Sequence, residues 1–148
     1  MLTFFFGSWV MKILALDLEG TLISNAMSQI VRPHLKFFLE EVNVKFDKIV
    51  IYTAVSEEKY NEILSLLLKE QSVPDWFKDV EYIKWSGKHK DLNYVCNEID
   101  NVFIVDDCED YILPEQKLQW IRINQYEYPY SNEDNELLNI LKVIKKTT

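Results

Sequence analysis

Positive charge is in short supply in this sequence: 16 Lys and Arg stand against 24 Asp and Glu, for a formal net charge of −8. That balance excludes general affinity for nucleic acid backbones, because neutralising phosphates takes a surplus of Lys and Arg on one face. Cysteine is nearly absent. Cys96 and Cys108, the only two, are too few and too far apart for a zinc site, and they read as free thiols in a reducing, cytoplasmic compartment. Glycine and proline are scarce as well, three and four in 148 residues, which rules out a collagenous or disordered chain and leaves a globular one that is 48% hydrophobic. Internal repeats and low-complexity segments are missing too. The apolar start, Met1 to Val10, lacks a basic leader and a small-residue cleavage site, and Lys12 and Asp17 interrupt it short of membrane length. Neither a signal peptide nor an anchor is expected from it. It reads as an N-terminal extension or an extra strand ahead of one domain over residues 11 to 148, the default at this length.

What the chain does have is a set of short apolar runs that each end on a polar side chain. Three share the pattern: Lys12-Ile13-Leu14-Ala15-Leu16-Asp17, Lys48-Ile49-Val50-Ile51-Tyr52-Thr53 and Asn101-Val102-Phe103-Ile104-Val105-Asp106. Continuous apolar runs of this length predict strands covered on both faces. Helical spacing lies between them, at Leu35, Phe38, Leu39 and Val42 and again at Tyr60, Ile63, Leu64, Leu67 and Leu68. Pro33 suits the first turn of the first helix. Ser56 can cap the second, with Glu57 and Glu58 at the positive end of its dipole. Leu92, Val95, Cys96 and Ile99 predict a third helix, and Leu137, Ile140, Leu141 and Ile144 a last one after a cap at Ser131. Further short strands are expected over 80–84 and 118–123, with connections over 71–75 and 109–116. Alternation of this kind predicts an α/β fold, three-layered and Rossmann-like, around a central and mainly parallel sheet. Right-handed crossovers then bring the carboxyl ends of the strands to one edge, where ligands bind.

Asp17, Glu19, Thr53, Asp106 and Asp107 are expected to meet at that edge. Clustered carboxylates raise one another's pKa unless a cation joins them. A ligand set made only of oxygens favours a hard ion such as Mg²⁺. Lys90, at the start of the third predicted helix, would add positive charge on the other side of the pocket, the balance a phosphate dianion requires. Lys88 competes for that part, and the spacing to Asp106 favours Lys90. Taken singly, each of these is an ordinary loop or cap residue; the signal is their convergence. His34 and His89 read as structural or exposed. Cys108 reads as a packed thiol, since a hard ion does not seek sulfur.

These motifs, in this order, resemble those of the haloacid dehalogenase-like superfamily of hydrolases. Asp17-Leu18-Glu19-Gly20-Thr21-Leu22 after an apolar strand is similar to its first motif, Asp-x-Asp-Gly-Thr; Thr53 looks like the second, Lys90 the third and Asp106-Asp107 the fourth. Within the superfamily the chain most resembles the phosphatases related to nuclear LIM interactor-interacting factor, through Arg32-Pro33-His34-Leu35, Tyr52-Thr53-Ala54, Lys90-Asp91-Leu92 and Ile104-Val105-Asp106-Asp107. The resemblance implies a phosphatase in which Asp17 forms an aspartyl-phosphate. Mg²⁺ would be held by Asp17, the Glu19 backbone carbonyl and Asp107, with Asp106 supporting the metal through water or an outer bond. Thr53 and Ala54 would bind phosphate together with Lys90. One departure stands out. Where the family generally has an Asp that protonates the leaving group, this chain has Glu19, one methylene longer, as do the enolase-phosphatases, a related branch whose motif is Asp-Ile-Glu-Gly-Thr. Gly20 takes a place that is usually Glu in the group it most resembles.

Members of that superfamily often insert a cap domain, but the gaps at residues 18–31 and 54–89 leave room for a short flap and no large cap. An open site suits a phosphorylated macromolecule such as a phosphoprotein, which can itself exclude water. Two alternatives stand beside this: a small-metabolite phosphatase closed over by a second subunit, and a binding module that has lost turnover at Glu19. Trp76, Phe77, Tyr82 and Trp85 are expected to divide between a substrate platform and the core.

Overall fold

In three strands of this protein the polar residue that ends the apolar run lands at the same edge, and the reason is register. The computed structural model describes residues 10–147. Strand β1 (Ile13–Leu16) pairs in parallel with β2 (Lys48–Ile51) and with β4 (Val102–Asp106), Leu16 standing level with both Ile51 and Val105. The ladder continues beyond the strands, since the Asp17 N–H donates to the Val105 carbonyl at 3.0 Å and the Tyr52 N–H to that of Leu16 at 2.8 Å. Strands β3 (Glu81–Tyr82) and β5 (Trp120–Arg122) complete an all-parallel sheet in the order β3-β2-β1-β4-β5. The order reverses between β1 and β4, which opens a crevice at their carboxyl ends. The fold is thus α/β and Rossmann-like, as expected from the sequence.

Side chains alternate across the sheet and sort into two cores. Leu14, Leu16, Ile49, Ile51 and Val105 face helices α1 (Leu35–Lys45), α2 (Glu57–Lys69) and α3 (Glu136–Thr147), whose buried stripes include Phe38, Leu39, Val42, Ile63, Leu67, Leu137 and Ile140. Ile13, Ala15, Val50, Tyr52, Val102 and Ile104 face the opposite side, where Leu92, Ile112 and the partly buried Val95, Cys96 and Ile99 cover them.

That second covering layer corrects one expectation. No α-helix forms around Leu92, Val95, Cys96 and Ile99; the segment makes two single 3₁₀ turns, Leu92–Tyr94 and Ile99–Asn101. Its apolar spacing is helical, but Asn93, Tyr94, Val95, Cys96, Asn97 and Asp100 are poor helix formers. The Leu92 N–H is also taken by Gln116 Oε1, at 2.9 Å, which ties the turn to a distant loop. Helix ends differ as well. Pro33 precedes α1 rather than opening it, because His34 adopts a left-handed conformation (φ 72°) at the cap. Ser131 caps only a turn, through the Glu133 N–H, while Asp134 receives the Glu136 N–H at the start of α3. Ser56 caps α2 as expected, accepting from the Lys59 N–H. Strands β3 and β5 fall inside the expected ranges but are shorter. The expected N-terminal extension or strand lies outside the described residues except for Val10, which is exposed. Among the described residues no helix is long and apolar enough to cross a membrane.

Two neighbours on α1 test this packing. Phe38 is fully buried and Phe37 half exposed. Phe38→Ala is expected to cost about 3–5 kcal/mol of unfolding free energy and Phe37→Ala about 0.5 kcal/mol or less, as read from urea titrations; equal losses would contradict the placement of the core.

Candidate active site

Asp17, the first residue after β1, is 5% exposed, and both of its carboxylate oxygens are held. Oδ1 accepts from Lys90 Nζ at 2.8 Å and Oδ2 from the Thr21 hydroxyl at 2.8 Å. The same hydroxyl lies 3.2 Å from Asp107 Oδ1, so one proton sits between two acids. Asp106, the last residue of β4, is fully buried. Its Oδ2 accepts from Lys90 Nζ at 2.6 Å and its Oδ1 from the Cys108 N–H at 2.9 Å. Lys90 is therefore gripped by the ends of two adjacent strands and lies 4.5 Å from the centre of the Tyr111 ring. Lys88, by contrast, is exposed. Lys90 reaches this place from an irregular segment, not from the helix start expected for it; its N–H is pinned to the Tyr111 carbonyl at 2.7 Å.

The other expected residues converge on the same cleft, of about 230 Å³, whose lining includes Asp17, Glu19, Thr53, Ala54 and Asp107. Thr53 is buried; its hydroxyl accepts from the Val55 N–H and its carbonyl from Trp85 Nε1. Glu19 is half-buried and reaches the flap over residues 18–31, where its Oε2 accepts from the Ala26 N–H at 2.6 Å. The flap is short, closed by single bridges of Ile23 to Glu19 and to Val31. Cys108 is a free, half-buried thiol on the cleft wall, and Cys96 is free too. His34 is exposed and bonds Asn135. Of the four aromatics, Phe77 is core and Trp76 packs against it, whereas Tyr82 and Trp85 line an adjoining cleft.

Charge at the site does not balance without a cation. Asp17, Asp106 and Asp107 bring three carboxylates against one ammonium, Lys90. Burial, followed by repulsion from Asp17, pushes Asp106 up to about 6. Burial, followed by the hydrogen bond and charge of Asp17, pushes Asp107 up to about 7. Burial alone would push the Lys90 ammonium down, but Asp17 and Asp106 more than offset it and hold Lys90 above its ordinary value. One oxygen from each of the three acids falls within 4.8 Å of the others. Such a set of hard, crowded oxygens fits a divalent cation, which relieves the repulsion directly. Asp17 and Asp107 line the cleft whereas Asp106 lies fully buried behind it, so the first two are the acids that would face such an ion.

Three residues of the site were given no role from the sequence. Gly20 has φ +74°, and a Cβ there would lie 2.6 Å from Asp107 Oδ2, so only glycine lets the two motifs approach. Arg32, 1% exposed, donates to the Gly20 and Thr21 carbonyls at 3.2 Å each, to the Asn124 carbonyl and, through two nitrogens, to Asp134. It clamps the first motif from behind. Tyr111 covers Lys90. Gly20 and Arg32 stand in stretches that carry the family resemblance, but a left-handed backbone and a buried guanidinium cannot be read from sequence, and a Tyr in a loop gives no signal.

A family model for NLI interacting factor-like phosphatases matches residues 12–148. No curated protein matches the chain.

Two measurements test the site as a metal centre. Because Asp106 and Asp107 stand above their ordinary 3.8, the folded protein stripped of metal holds protons that the unfolded chain has released. Stability from this source is full below about pH 4 and is lost as pH rises through about 7. Thermal melts in a chelator should therefore fall between about pH 4 and 7 and level off above, and the increase in melting temperature given by Mg²⁺ should grow as pH rises through about 6 to 7; a metal response independent of pH would contradict it. Gly20→Ala should cost about 1–2 kcal/mol from its left-handed backbone and weaken the Mg²⁺ response by displacing Asp107, whereas an unchanged metal titration would show that Asp107 is not a ligand.

Proposed function

The chain belongs to the NLI interacting factor-like phosphatase family, and from that premise we propose that it is a Mg²⁺-dependent phosphomonoesterase working through an aspartyl-phosphate on Asp17, within one catalytic domain over residues 11–148. The observation that carries this reading is the buried bridge from Asp17 Oδ1 through Lys90 to Asp106, with Asp17 opening into the cleft. A nucleophilic carboxylate must be fixed and approachable. Lys90 and Thr21 meet the first need by holding one oxygen each, and the cleft meets the second.

Asp17, the Glu19 carbonyl and Asp107 would hold Mg²⁺, with Asp106 behind them. When bound, the ion supplies positive charge that offsets the phosphoryl group against its acidic surroundings. The remaining work falls to the chain. Lys90 spends two of its three N–H groups on Asp17 and Asp106 and has the third for a phosphoryl oxygen. The Thr53 hydroxyl accepts from Val55 N–H, which leaves its own proton for another phosphate oxygen beside Ala54. Glu19 protonates the leaving oxygen and then takes a proton from the water that hydrolyses the aspartyl-phosphate. Its extra methylene is compensated by the Ala26 N–H, which fixes one oxygen and leaves the other for proton transfer. The short flap leaves the cleft open, which suits a phosphorylated protein as substrate, and the two free thiols suit a reducing, cytoplasmic setting.

Phosphate release from an aryl phosphate with Mg²⁺ tests the proposal. Asp17→Asn should abolish it, and Glu19→Gln should lower kcat by about 10²–10⁴-fold, the usual worth of a general acid. A wild type that neither turns over nor binds beryllium fluoride in a metal-dependent way would overturn the reading. A large gain from near zero on Glu19→Asp would favour a binding module whose turnover has been lost.

A further inference from the structure

One turn in the layer covering the second core is packed against the grain of its residue types. The 3₁₀ segment Pro114–Gln119 buries its Gln116, which is 4% exposed, and leaves its Leu118 91% exposed. Apolar burial favours the reverse, so hydrogen bonding must hold the glutamine inside. It does so at both ends of the amide: Oε1 accepts from the Leu92 N–H at 2.9 Å, and Nε2 donates to Asp91 Oδ1 at 2.9 Å. These partners follow directly on Lys90, and they lie 24 and 25 positions from Gln116 along the chain.

Lys90 needs such support. Its stem is long and flexible, no helix or strand spans residues 83–91, and residues 86–88 are exposed. Yet its Nζ stands 2.8 Å from Asp17 Oδ1 and 2.6 Å from Asp106 Oδ2. The backbone on which this depends is tied residue by residue. The Lys90 N–H donates to the Tyr111 carbonyl, the Asp91 carbonyl accepts from the Tyr52 hydroxyl at 2.7 Å, and Gln116 takes the Asp91 carboxylate and the Leu92 N–H together. The Asn93 N–H and then the Gln116 amide hold the Asp91 carboxyl below its ordinary value, so Gln116 donates to a charged acceptor. Because Gln116 lies on the chain leaving Asp106, the links close a ring: Asp106 to Gln116 along the loop, Gln116 to Asp91 across the fold, and Lys90 Nζ back to Asp106.

We propose that Gln116 is a positioning residue for the reaction: by holding Asp91 and Leu92 at once, its amide fixes where the Lys90 ammonium stands between Asp17 and Asp106. The proposal rests on the phosphomonoesterase reading for its kinetic consequence and on geometry alone for its structural one. Tyr111 and Tyr52 secure the same stretch at single points, whereas Gln116 spans two residues and so sets the direction of the chain as it leaves Lys90. Gln116 does not line the catalytic cleft and acts through Lys90. A shift of about 1 Å in a group that meets the transferring phosphoryl can cost about 100-fold in rate.

Gln116→Met keeps the length of the side chain and removes both hydrogen bonds. It is expected to lower kcat on an aryl phosphate with Mg²⁺ by about 10–100-fold while KM stays within about threefold, because the contact it disturbs is made most strongly in the transition state. Ile99→Ala, which loosens the same covering layer outside the ring of bonds, should lower the melting temperature yet leave kcat within about twofold. A second readout needs no turnover. The Lys90 ammonium, buried and doubly paired, should give a slowly exchanging signal in nitrogen-to-proton correlation NMR that vanishes in Lys90→Arg, and Gln116→Met should shift or broaden it. Gln116→Asn, too short to span both partners, serves should the methionine variant fail to fold, with a kcat loss of about tenfold. An unchanged kcat in the Gln116 variants, a kcat lost equally in Ile99→Ala, or an unmoved ammonium signal would overturn the proposal. If wild type shows no Asp17-dependent turnover the phosphomonoesterase reading fails, and the ammonium signal still decides whether Gln116 sets Lys90.

Discussion

One buried cation organises this molecule. Lys90 has no access to water and sits 2.8 Å from Asp17 and 2.6 Å from Asp106, at the ends of the two strands that flank the reversal in sheet order. A lysine in such a place is tolerable only when paired with opposite charge. The pairing therefore locks the ends of β1 and β4 together and sets the spacing of the acids. It also leaves the site with more carboxylate than ammonium. The excess is concentrated at Asp107, the least protected of the three acids, which is where a divalent cation would have most effect.

A second buried cation holds the first motif from the other direction. Arg32 binds the carbonyls of Gly20 and Thr21 on one side and Asn124 and Asp134 on the other, with the Tyr126 ring 5.2 Å away. The Tyr126 N–H returns to the Gly20 carbonyl at 2.8 Å. The loop carrying Asp17, Glu19 and Thr21 is thus fastened from both faces of the sheet edge, and Gly20 lets Asp107 close over it. Preorganisation of this kind is what permits small displacements of a reacting group to matter in catalysis. It also explains how a glutamate can stand at position 19, because the flap backbone, not the side chain's own length, determines where its carboxylate rests.

The two faces of the sheet are built differently, and the site draws on the difference. Helices α1, α2 and α3 form a continuous layer on one face, while 3₁₀ turns cover the other. Turns follow the sheet closely and let side chains such as Tyr111 and Trp85 reach the edge from irregular backbone.

Much of this was legible in the amino-acid order alone. The three apolar runs, the acids at their ends, helices α1 and α2 with the cap at Ser56, and the order of the motifs all depend on local pattern, and local pattern survives in sequence. Period and propensity cannot report partners far along the chain. Whether Lys90 or Lys88 is buried depends on Asp17, 73 positions away; whether Arg32 is a surface residue or a clamp depends on Asp134, 102 positions away. The segment after Lys90 carries a helical spacing that its residues and its bond to Gln116 override. Residue order therefore determined the sheet and the acids it presents, while burial and charge pairing, which arise only once distant segments meet, decided which cations hold them and which cleft lies beside them.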